Sequence, residues 1–298
     1  MNPQFFISFE SVTGLPQIFG YVMFFIFGAM IGSFLNVVIH RVPLRKSIVF
    51  PNSACPQCGA AIKAFDNIPI LSWLILGGKC RNCKGVISFR YPAVEILTAV
   101  LWVLLFWRTE FSPMLAVNIV VASAIVALMF IDAEHMILPN AITYRLLIFV
   151  FAVRAIFPVI WGEIYFTDTA YFSNGIFSGL PIFASSILAG VAGALAGGGS
   201  LWLIGAIWKT IRGIDAMGLG DVKMMLGVGA LIGWKLTIIA IFIAAFSGAV
   251  IGIALILKQK DKTLQTQIPF GIFLGIGSIM AILFGESLAA WYLGQFAI

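Results

Sequence analysis

At 298 residues, 61% hydrophobic and only 10% charged, the chain is too apolar to present a polar surface to water, which excludes the soluble globular classes. Its net charge of +6 would point to nucleic acid in a soluble protein. Beside membrane segments it follows instead from loop orientation and attraction to anionic lipid headgroups, so membrane lipid and no nucleic acid is expected as partner.

A span needs about 20 mostly apolar residues. By that measure the sequence predicts an all-α polytopic membrane protein with about eight transmembrane helices, at 17–40, 92–107, 113–131, 141–160, 181–208, 222–233, 236–257 and 269–294. Segment 222–233 is short and Gly-rich, suited to a half-span. Residues 1–16 lack the basic region, short apolar stretch and cleavage site of a signal peptide, and are expected to stay on as an N-terminal segment. The one long polar insertion, about 41–91, carries Arg41, Arg45, Lys46, Lys63, Lys79, Arg81, Lys84 and Arg90. The positive-inside rule places it in the cytoplasm. Counting spans onward puts Lys209, Arg212, Lys223, Lys258, Lys260 and Lys262 on the same side and both termini outside.

All four cysteines lie in this loop, as Cys55-Pro56-Gln57-Cys58 and Cys80-Arg81-Asn82-Cys83. Two C-x-x-C knuckles at this separation, slightly longer than usual, predict a small zinc-binding cytoplasmic loop domain. Four thiolates make a closed tetrahedral shell with no position left for water, which makes the ion structural rather than catalytic. A cytoplasmic loop disfavours disulfides. Glycines 59, 77, 78 and 85 are expected to supply the tight turns.

Two carboxylates stand where an ionised group is costly. Asp132 ends the span 113–131, followed by Glu134, His135 and Pro139, which redirects the chain. Asp221 follows Gly218-Leu219-Gly220 and opens the next apolar segment with Lys223 two residues on. The topology places both at the cytoplasmic edge, at equal depth. Two adjacent carboxylates share a proton, so one can activate water while the other polarises a carbonyl, which is the aspartic-protease pattern. Gly218 and Gly220 either admit a substrate backbone or let the chain turn sharply, and Lys223 either tunes Asp221 or binds headgroups.

The bland reading is that both aspartates cap helices. It suits Asp221 at an N-terminal end but not Asp132 at a C-terminal one. With only His40 and His135, no H-E-x-x-H and no G-x-S-x-G, zinc and serine proteases are poorly supplied. Two non-enzymatic alternatives stay open: a transporter or channel with membrane-edge carboxylates, and a zinc-loop scaffold, which leaves both aspartates idle.

The succession Gly32-Ser33-Phe34-Leu35-Asn36 to Pro43, the paired knuckles, Arg90-Tyr91-Pro92 with Glu95, the Asp132 segment, Gly218 to Lys223 and Ile268-Pro269-Phe270-Gly271 resembles the type IV prepilin peptidases, from about residue 20 to 290. The resemblance implies a bacterial inner-membrane enzyme with its active site facing the cytoplasm. Such an enzyme removes the basic leader of type IV prepilins or type II secretion pseudopilins, then methylates the new N-terminal amine with S-adenosylmethionine. It maps the acid pair onto Asp132 and Asp221. It divides the chain into an N-terminal segment 1–16, a methylation-associated half 17–112 and an aspartyl peptidase domain 113–298. Asn140 stands where many relatives place aspartate, and Ile272 where proline is common. No Gly-rich dinucleotide fingerprint marks a methyl-donor pocket. Asp66, Glu95, Glu134 and Asp215 are candidates to receive the basic leader.

Overall fold

The computed structural model describes residues 8–160, 180–213, 217–258 and 269–295. Its helices are α1 (Phe9–Thr13), α2 (Gln17–Arg41), α3 (Leu71–Ile75), α4 (Arg90–Thr109), α5 (Pro113–His135), α6 (Asn140–Ile156), α7 (Ile182–Ala194), α8 (Ser200–Arg212), α9 (Leu219–Lys258) and α10 (Phe270–Gly294). A π-helical turn, Leu195–Gly199, joins α7 to α8. The all-helical expectation is met, with two isolated β-bridges in the cysteine loop. Six helices among the described residues are long and apolar enough to cross a membrane, so this is a multi-pass membrane protein.

The count of eight spans is not confirmed. The segment expected at 141–160 forms a helix of only 17 residues, α6. The two expected at 222–233 and 236–257 run together through the 40 residues of α9. Yet α9 is interrupted where the two were divided, because Gly233 takes a positive φ of 77° that a side chain would resist. A break in a membrane helix leaves carbonyls without partners. Arg154, fully buried, supplies them: its Nε donates to the Ala230 carbonyl at 2.6 Å and one terminal nitrogen to Leu231 at 3.3 Å, while the other reaches the Ser186 carbonyl at 2.8 Å. A cation at a helix C-terminal end is also favoured by the dipole. A charge inside a predicted span is thus explained by the helix it caps.

The chain forms two compact units, 6–127 and 128–298. In the first, α2 and α4 run antiparallel at close range. A Cβ on Gly28 would lie 2.7 Å from the Cα of Ala99, and one on Gly32 2.6 Å from the Cα of Glu95. Lipid offers no hydrophobic drive for helices to associate, so such small-residue seams let backbones meet and gain dispersion contacts. Phe24 stacks on Phe106, and Phe9 and Phe111 complete a cluster at the far end of the seam. In the second unit α9 is the centre. Gly193 of α7 and Gly229 of α9 meet backbone to backbone, and Gly277 of α10 packs on the Ala240 carbonyl. These seams set the rotation of α9 and α10, and with it the direction in which their N-terminal residues face.

Candidate functional site

The cysteine loop is built from two similar turns. The Cys55 amide donates to the Ala60 carbonyl at 2.9 Å and the Cys80 amide to Gly85 at 2.8 Å, each turn closed by one β-bridge, Ala54 with Ala61 and Lys79 with Val86. The residue after each second cysteine takes a positive φ: Gly59 at 69° and Lys84 at 59°. Gly85, expected to make the second turn, is therefore not the left-handed residue; it is small because a Cβ there would strike the Gln57 side chain. All four sulfurs lie within 4.8 Å of one another, and Cys55 Sγ is 3.9 Å from Cys83 Sγ. A tetrahedral ion with Zn–S of about 2.3 Å needs sulfurs about 3.8 Å apart, so the donor set fits such an ion closely. The four thiols are free rather than disulfide-bonded.

The electrostatics of the cluster point the same way. The Ala60 backbone amide, helped by Asn82, lowers the Cys58 thiol to about 6. Despite the Gly85 amide beside it, desolvation and the surrounding sulfurs push Cys83 up to about 11. Four sulfurs this close cannot all ionise without a cation among them. Around the knuckles, Arg81 makes a bidentate ion pair with Asp66, shortest contact 2.7 Å, and the Arg41 guanidinium donates to the carbonyls of Ser47 and Pro51.

In the second unit, Asp132 and Asp221 are both buried, 6% and 9% exposed, and close enough for Asp221 to feel the charge of Asp132. Asp132 lies in the last turn of α5 and Asp221 in the first turn of α9. The start of α10 lies against the Asp132 carboxylate at Gly271, and Asp132 Oδ2 is buried with no hydrogen-bond partner. A helix N-terminus presents unsatisfied donors. A Cβ on Gly271 would stand 2.7 Å from Asp132 Oδ2, and one on Gly220 2.8 Å from the Cβ of Leu138. Leu138 also packs against Gly271. The loop after Asp132 thus wedges between the starts of α9 and α10, and two glycines make room for it.

Gly218 sits against Asp221 itself, its hypothetical Cβ 3.2 Å from Oδ2. Lys223, expected to tune Asp221 or bind headgroups, donates to Asn140 Oδ1 at 2.9 Å and lies 5.1 Å from the Tyr144 ring. Gly271 was not expected as a site residue; the Pro269-Phe270-Gly271 turn before an apolar run was the available signal. Among the acidic residues considered for a leader, Asp66 is committed to Arg81, Glu95 is buried and Glu134 is exposed. Asp215 lies outside the described residues.

Residues 26–109 match the bacterial peptidase A24 N-terminal domain, and residues 119–253 match the type IV leader peptidase family. The chain is 33% identical to the prepilin leader peptidase/N-methyltransferase of Aeromonas salmonicida, over 95% of this chain and 97% of that one. It is 32% identical to the protein of the same name from Pseudomonas aeruginosa (91% and 92%) and 31% to that from Legionella pneumophila (93% and 95%). No solved structure matches the chain significantly. Likeness over nearly the full length of these relatives, across the loop that gathers the cysteines and the helices that bury the carboxylates, means that the chain belongs to the type IV leader peptidase family.

Proposed function

We propose that this protein is a membrane aspartyl endopeptidase that removes the leader of type IV prepilins or type II secretion pseudopilins and then N-methylates the new N-terminal residue. The observation that carries the proteolytic half is the convergence of two buried carboxylates, Asp132 at the end of α5 and Asp221 at the start of α9. One carboxylate takes a proton from water as its oxygen attacks the scissile carbonyl; the other, protonated, donates to the carbonyl oxygen. Collapse of the tetrahedral intermediate breaks the C–N bond, and the departing amine takes up a proton. Gly218, Gly220 and Lys223 support the pair by packing and by the hydrogen bond to Asn140.

The basic loop supports an orientation with the site at the cytoplasmic face of a bacterial inner membrane. There a prepilin presents a basic leader in water and an apolar helix in lipid, with the cleaved bond between them. The four cysteines fit structural zinc, which would hold the loop's fold. S-adenosylmethionine supplies an electrophilic methyl group for the freed amine. On this reading methylation is the task of 17–112 and proteolysis that of 113–298.

The test is direct. Detergent-purified protein incubated with a prepilin and S-adenosylmethionine should yield a product lacking its leader and one methyl group heavier, read by N-terminal sequencing and mass spectrometry. An intact substrate would overturn the reading.

A further inference from the structure

In the first unit, residues of the cysteine loop and of α2 and α4 line a partly open cavity of about 640 Å³, within the range of about 300–1,000 Å³ typical of small-molecule sites. Cys55, Cys80, Ser33, Asn36, Glu95, Trp73 and Tyr91 are among the residues that line it. The seam of α2 on α4 places Asn36 and Glu95 together, since Gly32 packs against Glu95 and the Asn36 amide donates to the Tyr91 carbonyl at 3.0 Å.

Two features of this wall ask for a ligand. Asn36 is 4% exposed, and its Oδ1 is buried with no hydrogen-bond partner, a costly state for an acceptor unless something donates to it. Glu95 is 8% exposed, and among the described residues no Lys, Arg or His lies within ion-pair distance of it. The nearby guanidinium groups are committed elsewhere, Arg81 to Asp66 and Arg41 to backbone carbonyls. A buried carboxylate without a cation calls for one.

Glu95 is also held deliberately. Its Oε2 accepts from the Ile70 amide at 2.7 Å, and Ile70 is the centre of a γ-turn in which the Leu71 amide reaches back to the Pro69 carbonyl at 2.6 Å. A β-branched residue at φ 65° is a rare, strained conformation that persists only where its surroundings impose it, and such strain gathers at ligand sites.

We infer that this cavity is the S-adenosylmethionine site, with Glu95 and Asn36 receiving the cationic, donor-rich end of the ligand and Trp73 and Tyr91 offering flat surfaces to the remainder. The ligand carries a sulfonium and an ammonium group for the unpaired carboxylate, N–H donors for the orphaned Oδ1, and an adenine that rests on aromatic faces. Cys55 and Cys80 of the two cysteine turns line the cavity, which ties donor binding to the fold of the loop. The assignment rests on the methyltransferase reading above and goes further by naming the pocket.

The test measures donor binding itself. In equilibrium dialysis with radiolabelled S-adenosylmethionine, the purified full chain should bind one equivalent. Glu95→Gln and Asn36→Leu should each raise Kd about tenfold or more while keeping wild-type metal content, which shows that the loop is folded. Ultraviolet crosslinking of the donor to unsubstituted protein, which needs no variant to fold, should label peptides containing Trp73 or Tyr91. If the unsubstituted protein binds no donor, the methyltransferase reading falls and the assignment with it. If it binds but the variants keep its Kd, or the label falls only beyond residue 128, the cavity assignment alone is overturned. Normal donor binding by the variants with loss of methylation would give Glu95 to the acceptor amine and would equally overturn it.

Discussion

The four sulfurs meet because each pair lies three residues apart on a short turn, and the two turns belong to one loop. Asp132 and Asp221 meet because α5 ends, and α9 and α10 begin, in one place, with Leu138 seated between Gly220 and Gly271. The first arrangement is local and only half-buried, and its four thiols could hold a metal ion. The second is non-local and buried, and depends on helix seams far from the carboxylates. A locally built site is lost by removing its ion or a ligand, whereas one built by packing is also lost by a methyl group that touches no reacting atom.

The largest expected effect tests the buried site. Asp132→Asn or Asp221→Asn should reduce leader cleavage by about 10²–10⁴-fold, with unchanged protein level and thermal unfolding; cleavage at the parent rate by either variant would remove the acid pair from the mechanism. Next, Cys55→Ser should abolish stoichiometric zinc, measured by elemental analysis, because apparent binding of about 10–16 kcal/mol for structural zinc depends on all four thiolates. Methylation should then fall further than proteolysis. Equal metal content in the variant would mean the knuckles do not form one site.

Gly271→Ala sharpens the contrast. Its new Cβ would stand 2.7 Å from Asp132 Oδ2, so the carboxylate must move, and displacement of a catalytic group by about 1 Å costs on the order of 10²-fold in rate. Unaltered kcat would show that the start of α10 does not position Asp132. The smallest effect belongs to Asp66→Asn. Hydrogen bonding to the Arg81 guanidinium holds the Asp66 carboxyl below its usual range, so its contribution is present above the unfolded value of about 4 and is lost as pH falls through that range. The pair is solvent-facing, and its loss should be barely measurable in thermal unfolding at neutral pH, smaller still in about 1 M salt. A large shift would mean that the ion pair, rather than the metal, holds the loop.

Reading along the chain reached different depths in the two regions. The cysteine spacing announced a tetrahedral set, and the structure gathers those four sulfurs. It misassigned the second turn, since nothing marks Lys84 as the residue that goes left-handed beside a glycine. For the carboxylates, the depth of each along its apolar run was legible, but the approach of Gly271 to Asp132 was not, because it comes from a third, distant segment. The count of eight spans is not confirmed at α6 and α9, where hydropathy sees only length. It does not see that Arg154 satisfies the carbonyls freed at Gly233.

Local pattern alone, then, was enough for the helical class, the basic loop, the set of four cysteines that could hold a metal and the two acidic positions, because hydropathy, loop charge and C-x-x-C spacing act over a few residues. Only the tertiary structure decided which helix faces meet, that Leu138 and the start of α10 complete the surroundings of Asp132, and that Asn36 and Glu95 share one cavity wall. In lipid every face of an apolar helix is equally content. The choice among faces therefore falls to glycine seams and a few buried hydrogen bonds whose partners lie far apart in the chain.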